Sequence, residues 1–391
     1  MQALPLNRSA AELPAPSDDA CRHCERLVEE IRAEIERHGG WISFARYMEM
    51  ALYAPGLGYY VAGAAKLGAE GDFVTAPEIS PLFGRTIATQ VCEILAHTGG
   101  EVLELGAGSG ALALSLLEEL QARNCLPERY RILEVSPELT QRQRRLLQRL
   151  PGLAGRIEWI TSLPQHFTGV VVANEVLDAL PVHLLAWRDE GACERGVVWH
   201  GDGFAWAERS LDPGALRDAA AALRIEAPYQ SEISIAVPAL VRTLAGALDR
   251  GVLLCVDYGF GRREYYHPQR NGGTLMCHYR HRAHDDPFLF PGLQDITAHV
   301  DFTSVAEAGI EAGLQLLGYA TQAQFLINCG IADQLARTPA GKTAAYFPLA
   351  AGVQRLVSPA EMGELFKVIA LGRGVQPPLT GFRTGDKSRL L

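Results

Sequence analysis

The sequence predicts an α/β protein with a doubly wound, mostly parallel sheet, N-terminal helices and a smaller subdomain built from an insertion. Past Pro81, short apolar segments alternate with longer segments whose apolar residues recur at helical spacing, which is typical of strands linked by crossover helices. A glycine-rich turn follows the first of these strands. Between about 182 and 235 the pattern changes to short segments in which apolar and polar residues alternate. We therefore expect a parallel sheet covered on both faces and interrupted by an antiparallel insertion.

The region before the sheet is predicted to hold a leader, two helices and a loop. Residues 1–20 are rich in Ala, Pro and acids without apolar periodicity, which favours a disordered leader. Apolar residues recur at helical spacing over 24–38, Gly39 and Gly40 then end that pattern, and 42–52 forms a second helical segment. Five glycines between 55 and 71 indicate a long ordered loop. We assign 21–85 to N-terminal helices with this loop.

The remaining residues, 86–391, are assigned to the core, with the insertion at about 182–235. Strands are predicted at short apolar segments of about five residues, and helices where apolar residues recur every three to four positions over a longer stretch. Turn signals at 189–191 and 201–203 divide the insertion into hairpins. The expected core elements in chain order are helix 82–96, strand 101–105, helix 111–123, strand 131–135, helix 137–150, strands 156–160 and 169–173, helix 237–248, strand 252–256, and the segments 303–313 and 314–328.

Composition narrows the function classes. The formal net charge is -9, which argues against sequence-independent binding to nucleic acid. The sequence contains no run of eighteen apolar residues, so no membrane-spanning helix is predicted. The first twenty residues contain one Arg and three acids and match neither a secretory signal nor a transit peptide. We therefore expect a cytoplasmic protein; its oligomeric state is not predicted. Six of the eight cysteines are expected to be reduced thiols, and Cys21 and Cys24 lack a second ligand pair, so no metal is predicted.

The glycine-rich turn is the first motif that indicates a ligand. Glu104, Gly106, Gly108 and Gly110 follow an apolar strand and open a helix, so backbone N–H groups can approach a ligand at the helix N-terminus. The dinucleotide fingerprint is G-x-G-x-x-G, whereas here the spacing is G-x-G-x-G preceded by a carboxylate. An acid at that position suits a cofactor with an ammonium and a sulfonium, and this predicts S-adenosyl-L-methionine. A NAD cofactor and a purely structural turn remain alternatives.

Two further strand ends carry polar residues. Glu134 ends the next predicted strand, just before Ser136, and a carboxylate there can accept both hydroxyls of a ribose. Asn174, Glu175 and Asp178 follow the apolar strand 169–173, at the edge where ligands of open α/β sheets bind. If that segment forms a helical turn, the Glu175 and Asp178 carboxylates could lie close together and bind a guanidinium. The alternative is an ordinary acidic helix start.

Three other segments are less specific. Residues 71–81 form a loop with helix-breaking residues and the acids Asp72 and Glu78. Asp257 and Tyr258 end another strand, and Gln294 and Asp295 begin the segment 294–302. These four residues could reach the same face of the sheet and contact the substrate, although a structural role is as common for such residues.

Together these motifs resemble the MidA family. The resemblance rests on GDFVTAPEISPLFG (71–84), ELGAGSG (104–110), NEVLDALP (174–181), DYG (257–259) and QDITAHVDF (294–302). It implies a class I, Rossmann-like methyltransferase fold. Family members are regarded as protein-arginine methyltransferases, and the mitochondrial members are complex I assembly factors that act on a subunit of that complex.

The resemblance also implies residue roles. Residues 71–78 would close over the methionine end of the cofactor, and Glu175 and Asp178 would be catalytic residues beside the acceptor. The predicted substrate-binding residues are Asp257, Tyr258, Gln294 and Asp295. The predicted cofactor-binding residues are Gly71, Asp72, Phe73, Thr75, Pro77, Glu78, Glu104, Gly106, Gly108, Gly110, Glu134, Ser136 and Asn174.

The resulting hypothesis is an S-adenosylmethionine-dependent methyltransferase that acts on an arginine of a protein partner, which could be a respiratory complex I subunit. Because cofactor residues do not define the acceptor, methylation of a small molecule or of another protein side chain stays open. A non-catalytic assembly chaperone that keeps the cofactor fold is the alternative outside enzymes.

Overall fold

A computed structural model describes residues 13–62 and 75–391. The described residues divide into two compact units, and the chain passes between them several times. Unit 1 comprises the residues up to 62 with Asp178–Val237 and Arg263–His299. Unit 2 comprises the residues from 75 to Leu177 with Pro238–Arg262 and Val300–Leu391.

The strands in chain order are β1 Ile42–Ser43, β2 Glu101–Leu105, β3 Tyr130–Leu133, β4 Ile157–Ile160, β5 Phe167–Asn174, β6 His183–Arg188, β7 Gly191–His200, β8 Gly203–Ser210, β9 Tyr229–Ile233, β10 Leu248–Phe260, β11 Met276–Tyr279, β12 Arg282–His284, β13 Asp295–Thr297, β14 Val300–Asp301, β15 Gln315–Thr321 and β16 Phe366–Arg373.

The helices are α1 Asp18–Arg37, α2 Phe44–Tyr53, α3 Ala76–Ile79, α4 Pro81–Thr98, α5 Ala111–Ala122, α6 Pro137–Leu147, α7 Ala215–Ala222, α8 Ala236–Ala247, α9 Arg262–Tyr265, α10 Phe302–Glu311, α11 Gln322–Asn328, α12 Ile331–Ala336, α13 Thr343–Val357 and α14 Met362–Leu365.

Unit 2 is built on one large sheet with the strand order β15-β16-β10-β5-β2-β3-β4, to which β14 adds beside β10. The pairs from β10 to β4 are parallel, and β16 lies antiparallel to both of its neighbours. Strands buried on both faces read as continuous apolar runs, as in Val170–Ala173 of β5. The predicted doubly wound, mostly parallel sheet is confirmed.

The last strand of the sheet was not predicted. β16 lies between β10 and β15, although it is the last of these strands in the chain. Its apolar residues are all buried, so the C-terminal segment completes the core rather than extending from it. Its sequence, FKVIALGR, contains a lysine within an apolar run, and this weakened the strand pattern.

Unit 1 contains two smaller antiparallel sheets. One has the order β1-β7-β6-β9 with β8 beside β7, and the other has the order β12-β11-β13. The predicted hairpins of the insertion are seen as β6 to β9. Aromatic rings from α2 and β8 meet in the core, where the centroids of Phe44 and Trp206 are 5.3 Å apart. This unit also takes in Arg263–His299, a stretch that the sequence assigned to the continuous core.

Three details differ from, or fall outside, the sequence-based expectations. α1 begins at Asp18 with Ser17 as its N-cap, inside the expected leader, and residues 1–12 of that leader lie outside the described residues. Cys92 and Cys125, expected to be free thiols, are paired in a disulfide with 5.8 Å between their Cα atoms.

Within the described residues, no helix combines the length and apolarity needed to cross a membrane.

Candidate active site

The polar motifs gather where the order of the large sheet reverses. From β2 the chain continues to β3 and β4 on one side, whereas β5 and β10 lie on the other. Ligands of open α/β sheets bind outside the carboxyl ends of strands at such a switch point. The glycine turn follows β2, and Asn174 ends β5 with residues 175–177 directly after it, so the two main motifs of the sequence meet at this edge.

The glycine turn adopts a backbone that other residues disfavour. Gly106, Gly108 and Gly110 have φ values of 57°, 54° and 87°, and Gly110 is the N-cap residue of α5. A Cβ on Gly106 would meet only a methyl of Val176 at 3.6 Å, so the conformation, rather than crowding, requires glycine. The turn leaves the backbone at the N-terminus of α5 open to a ligand.

Glu104 lies beneath this turn as a buried carboxyl group. It is 2% exposed, and the Tyr130 Oη donates a hydrogen bond of 2.6 Å to its Oε2. Burial, with a smaller contribution from the charge of Glu134, raises the pKa of Glu104 to about 7. A nearby cation would favour the ionised form of this group, so Glu104 suits the ammonium of an amino-acid moiety.

Glu134, at the end of β3, has both carboxylate oxygens held by the protein. Its Oε1 accepts from Ser136 N at 3.0 Å and its Oε2 from Gln143 Nε2 at 2.8 Å. Burial raises the pKa of Glu134, although these hydrogen bonds oppose the shift. Each oxygen keeps a second lone pair for a ribose hydroxyl. The next residue, Val135, is 58% exposed and offers an apolar surface at this edge.

Gln143 is a residue of the candidate site that the sequence did not indicate. Its Nε2 also donates to Gly108 O at 2.9 Å, and its Oε1 accepts from Trp159 Nε1 at 2.9 Å. One side chain of α6 therefore ties the glycine turn to the Glu134 carboxylate. Gln143 and Leu147, four residues apart, are the buried residues of this helix. A glutamine on the apolar stripe was the signal available in the sequence.

The segment after β5 is a bent loop rather than a helix. Glu175 has φ 53°, and its N–H donates to Val256 O at 2.8 Å. Asp257 Oδ2 accepts from Val176 N at 3.2 Å and from Leu177 N at 2.9 Å. The alternative of an acidic helix start is therefore wrong, because Asp257 on the neighbouring strand β10 holds these N–H groups outside a helix. The helical turn that was expected to bring Glu175 and Asp178 together is absent for the same reason.

The Glu175 carboxylate is fixed from two directions within unit 2. Its Oε1 accepts from Ala76 N at 3.2 Å and from Asn174 Nδ2 at 3.0 Å. Asn174 Oδ1 and Glu78 Oε2 are buried and have no hydrogen-bond partner among the described residues. Unpartnered buried polar atoms are costly, and hydrogen bonds from a bound cofactor would offset that cost.

The remaining predicted residues are distributed over both units. Thr75 is the N-cap residue of α3 and makes no side-chain capping bond, Pro77 is buried in that short helix, and Ser136 Oγ caps α6. Gly71, Asp72 and Phe73 lie outside the described residues. The boundary between the units falls between Leu177 and Asp178, so Asp178 is described with unit 1.

The four predicted substrate-binding residues also belong to different units. Asp257 and Tyr258 are buried in unit 2, where Asp257 holds the loop after β5 and the Tyr258 ring lies edge-on to Phe366 at 5.4 Å. Gln294 and Asp295 belong to unit 1. The Gln294 amide donates to the carbonyls of Asp286 and Pro287 at 3.3 and 2.9 Å. These contacts give Asp257 and Gln294 loop-holding roles.

Comparisons with known proteins identify the family of this chain. Residues 86–320 match the sequence pattern of a family described as S-adenosyl-L-methionine-dependent methyltransferases. The chain belongs to this family. It is the MidA family that the motifs resemble, and the protein is an S-adenosylmethionine-dependent methyltransferase with a class I fold.

Relatives cover nearly the whole chain. A zebrafish protein named protein arginine methyltransferase NDUFAF7, mitochondrial, is 30% identical over 85% of this chain and 83% of its own length. The homologue of that protein from Drosophila melanogaster is 29% identical over 95% and 92%. A crystal structure from Burkholderia thailandensis with bound S-adenosyl-homocysteine is 49% identical, covers 97% of this chain and 100% of its own, and superposes with a TM-score of 0.94.

These findings settle the cofactor and correct the compartment. The family uses S-adenosylmethionine, so the NAD alternative is wrong. The expectation of a cytoplasmic protein is also wrong by this comparison, since the zebrafish and Drosophila relatives are named as mitochondrial proteins. The expectation rested on the search for a long apolar run and on the composition of the first twenty residues, and neither feature identifies the compartment.

The raised pKa of Glu104 predicts how stability depends on pH. Below about pH 4.5 this carboxyl is protonated whether the chain is folded or not. Between pH 4.5 and about 7 only the unfolded chain ionises, so the free energy of unfolding should fall as pH rises, by about 3 kcal/mol. Glu104→Gln should remove this loss. Urea unfolding of the ligand-free protein from pH 4.5 to 8 measures it, with exposed Glu128→Gln as control. A pH profile for Glu104→Gln identical to that of the wild type would contradict the assignment.

The bridging position of Gln143 predicts a cofactor defect. Gln143→Leu removes the donor to Glu134 and Gly108, so the ribose carboxylate and the turn are no longer held together. We expect the Kd for S-adenosyl-homocysteine to rise by about tenfold, measured by calorimetry. Gln141→Leu, an exposed change on the same helix, should leave the Kd unchanged. Equal affinities for the two variants would show that Gln143 only packs.

Proposed function

We propose that this enzyme methylates a guanidine nitrogen of an arginine side chain in a protein substrate. The curated relatives from zebrafish and Drosophila carry the name protein arginine methyltransferase, and their similarity extends through both units of the chain. The observation that carries the proposal is the carboxylate of Glu175, held at the carboxyl end of β5, next to the strand that leads into the glycine turn.

The backbone at Glu175 supports a functional role. A non-glycine residue with positive φ costs about 1–3 kcal/mol and persists where its surroundings impose it. Here the N–H groups of residues 175–177 are all bound by β10 through Val256 O and Asp257 Oδ2. The strain directs one acidic side chain away from the helical path that this segment would otherwise follow.

The chemistry requires a group that orients the acceptor and removes a proton. S-adenosylmethionine, when bound, supplies a methyl group on a positively charged sulfur. A guanidinium has a pKa above about 12, so it carries a proton that must leave as its nitrogen takes the methyl group. Glu175 would accept an N–H of that nitrogen and then the proton, which passes to water. Ala76 N and Asn174 Nδ2 hold the carboxylate in place, and correct alignment supplies much of the rate.

Glu175→Gln separates catalysis from cofactor binding. The amide keeps the shape of the side chain but cannot accept the proton, so we expect methyl transfer to fall by at least about 100-fold. Because the amide keeps the shape of the side chain, the Kd for S-adenosyl-homocysteine should change less than about threefold, which corresponds to under about 1 kcal/mol of binding free energy. Glu190→Gln, at an exposed turn, is the control. Full activity in Glu175→Gln would exclude this carboxylate as the proton acceptor.

The acceptor class is tested by labelling. The purified chain is incubated with methyl-labelled S-adenosylmethionine and a cell lysate, and the labelled products are hydrolysed and identified. Methylarginine in a protein band supports the proposal. Label in small molecules or on another side chain would show that the acceptor is not a protein arginine. Absence of label despite cofactor binding would favour the assembly chaperone.

A further inference from the structure

Three hydrogen-bonded side chains connect the edge of the large sheet to the candidate cofactor site. We define the Trp–Gln–Glu chain as Trp159 of β4, Gln143 of α6 and Glu134 at the end of β3, all within unit 2. Trp159 Nε1 donates to Gln143 Oε1 at 2.9 Å, and Gln143 Nε2 donates to Glu134 Oε2 at 2.8 Å. Trp159 is therefore linked to the Glu134 carboxylate through Gln143.

The register of the sheet places the Trp159 ring on the face that α6 covers. Trp159 pairs with Ile132 across the parallel strands β3 and β4, and directly paired residues point to the same face of a sheet. Ile132 is buried in the core of unit 2, and Trp159 is partly buried against that core. Because the Trp159 side chain also reaches Gln143 of α6, the indole lies between the sheet and this helix.

Two successive residues of α6 hold the indole ring. Gln143 accepts its N–H, and the guanidinium carbon of Arg144 lies 4.3 Å from the ring centroid. A cation over the face of an indole is attracted by the negative charge of that face. Arg144 is exposed to water while the ring beneath it is partly buried. The indole N–H is thus presented to Gln143 from a fixed position.

The hydrogen bonds at Gln143 select one orientation of its amide. The side chain is 0% exposed, and an amide has an oxygen that accepts and a nitrogen that donates two hydrogens. An indole N–H can only donate, so it must face the oxygen. The nitrogen then donates one hydrogen to Glu134 Oε2 and the other to Gly108 O. In the reversed orientation two donors would face each other, and so would the acceptors.

Gln143 also packs tightly against the glycine turn. A Cβ on Gly110, the N-cap residue of α5, would lie 3.4 Å from both the Cα and the Cγ of Gln143. Protein interiors are packed as densely as organic crystals, so a shift of this side chain is transmitted to its neighbours. Movement of Gln143 would therefore change both its support of the Glu134 carboxylate and its contact with the turn.

We infer that Trp159 is a positioning residue for the cofactor, acting through Gln143 to align the Glu134 carboxylate with the ribose hydroxyls. The inference extends the ribose role predicted for Glu134 and does not depend on the identity of the methyl acceptor. Loss of the indole N–H would leave the buried Gln143 Oε1 without this donor, which is costly. The amide would then shift, and binding of the ribose would weaken more than binding of the rest of the cofactor.

The first test is a double-mutant cycle on the Kd for S-adenosyl-homocysteine, measured by calorimetry on the full chain. Trp159→Phe keeps an apolar ring and removes the N–H, so the Kd should rise by about fivefold. In Gln143→Leu the same change should have little further effect. The double variant should then stay near the tenfold loss of Gln143→Leu, whereas independent effects would multiply to about fiftyfold. Trp199→Phe, at a partly exposed tryptophan of unit 1, is the control and should bind as the wild type does.

The second test measures the preference for ribose. The wild type should bind S-adenosyl-homocysteine more tightly than its 2′-deoxy analogue, because the analogue lacks one of the hydroxyls that a strand-end carboxylate accepts. Trp159→Phe should reduce this ratio of affinities by at least about threefold, since a displaced carboxylate gains less from the hydroxyl. A purely structural defect would weaken both ligands equally and leave the ratio unchanged.

Arg144→Met keeps the inference testable if Trp159→Phe does not fold. The position is exposed, so folding should be preserved, but the cation over the indole is lost. We expect the Kd for S-adenosyl-homocysteine to rise by about twofold to threefold, and this rise should vanish in Gln143→Leu. Arg145→Met, at the next exposed position, is the matched control.

Three results would overturn the inference. They are multiplied losses in the double variant, an unchanged ribose preference in Trp159→Phe, and a wild-type Kd in a folded Trp159→Phe. If that variant does not fold, a wild-type Kd in Arg144→Met would overturn it as well. All of these measurements concern binding and involve no turnover, so the labelling experiment tests the proposed function separately.

Discussion

The parallel pairing of β2 with β5 is the constraint on which the arrangement of unit 2 depends. In this register Glu101 pairs with Gly169 and Leu105 with Ala173, so the two strands end side by side. The approach is close, because a Cβ on Gly169 would lie 2.0 Å from Glu101 O, and Gly169 has φ 132°. A side chain there would push the strands apart and displace the loop after β5 from the glycine turn. The chemistry at the sheet edge therefore depends on a glycine at its opposite end.

Unit 2 places several carboxylates in positions where burial is costly, and each is stabilised differently. Asp257 accepts backbone N–H groups and holds a loop, whereas Glu134 is supported by Gln143 and the N–H of Ser136. Glu104 accepts a hydrogen bond from Tyr130, and burial raises its pKa to about 7. Glu104 is therefore close to its protonation midpoint near neutral pH, and its charge state would respond to an arriving cation.

The sequence predicted the residues whose role depends on backbone conformation or on the strand ends. The glycine turn, Glu134 and the segment 174–178 could be placed because a strand followed by glycine or an acid locates the edge of a parallel sheet. Gln143 and the disulfide between Cys92 and Cys125 could not, since each depends on contacts between distant segments. The bonds that Asp257 accepts from the loop after β5 could not be predicted for the same reason. Whether a strand-end carboxylate faces a ligand or a neighbouring loop depends on tertiary packing.

Cofactor motifs say little about the acceptor. Cofactor binding depends on a glycine backbone and on carboxylates at the ends of parallel strands, and many methyl acceptors are compatible with such a site. Acceptor selection requires side chains matched to one chemical group, and such side chains need not lie near the glycine turn in the sequence. Residues 174–181 cross the boundary between the two units, with Glu175 in one and Asp178 in the other, so the chain leaves the unit of the parallel sheet directly after the strand end that carries Glu175.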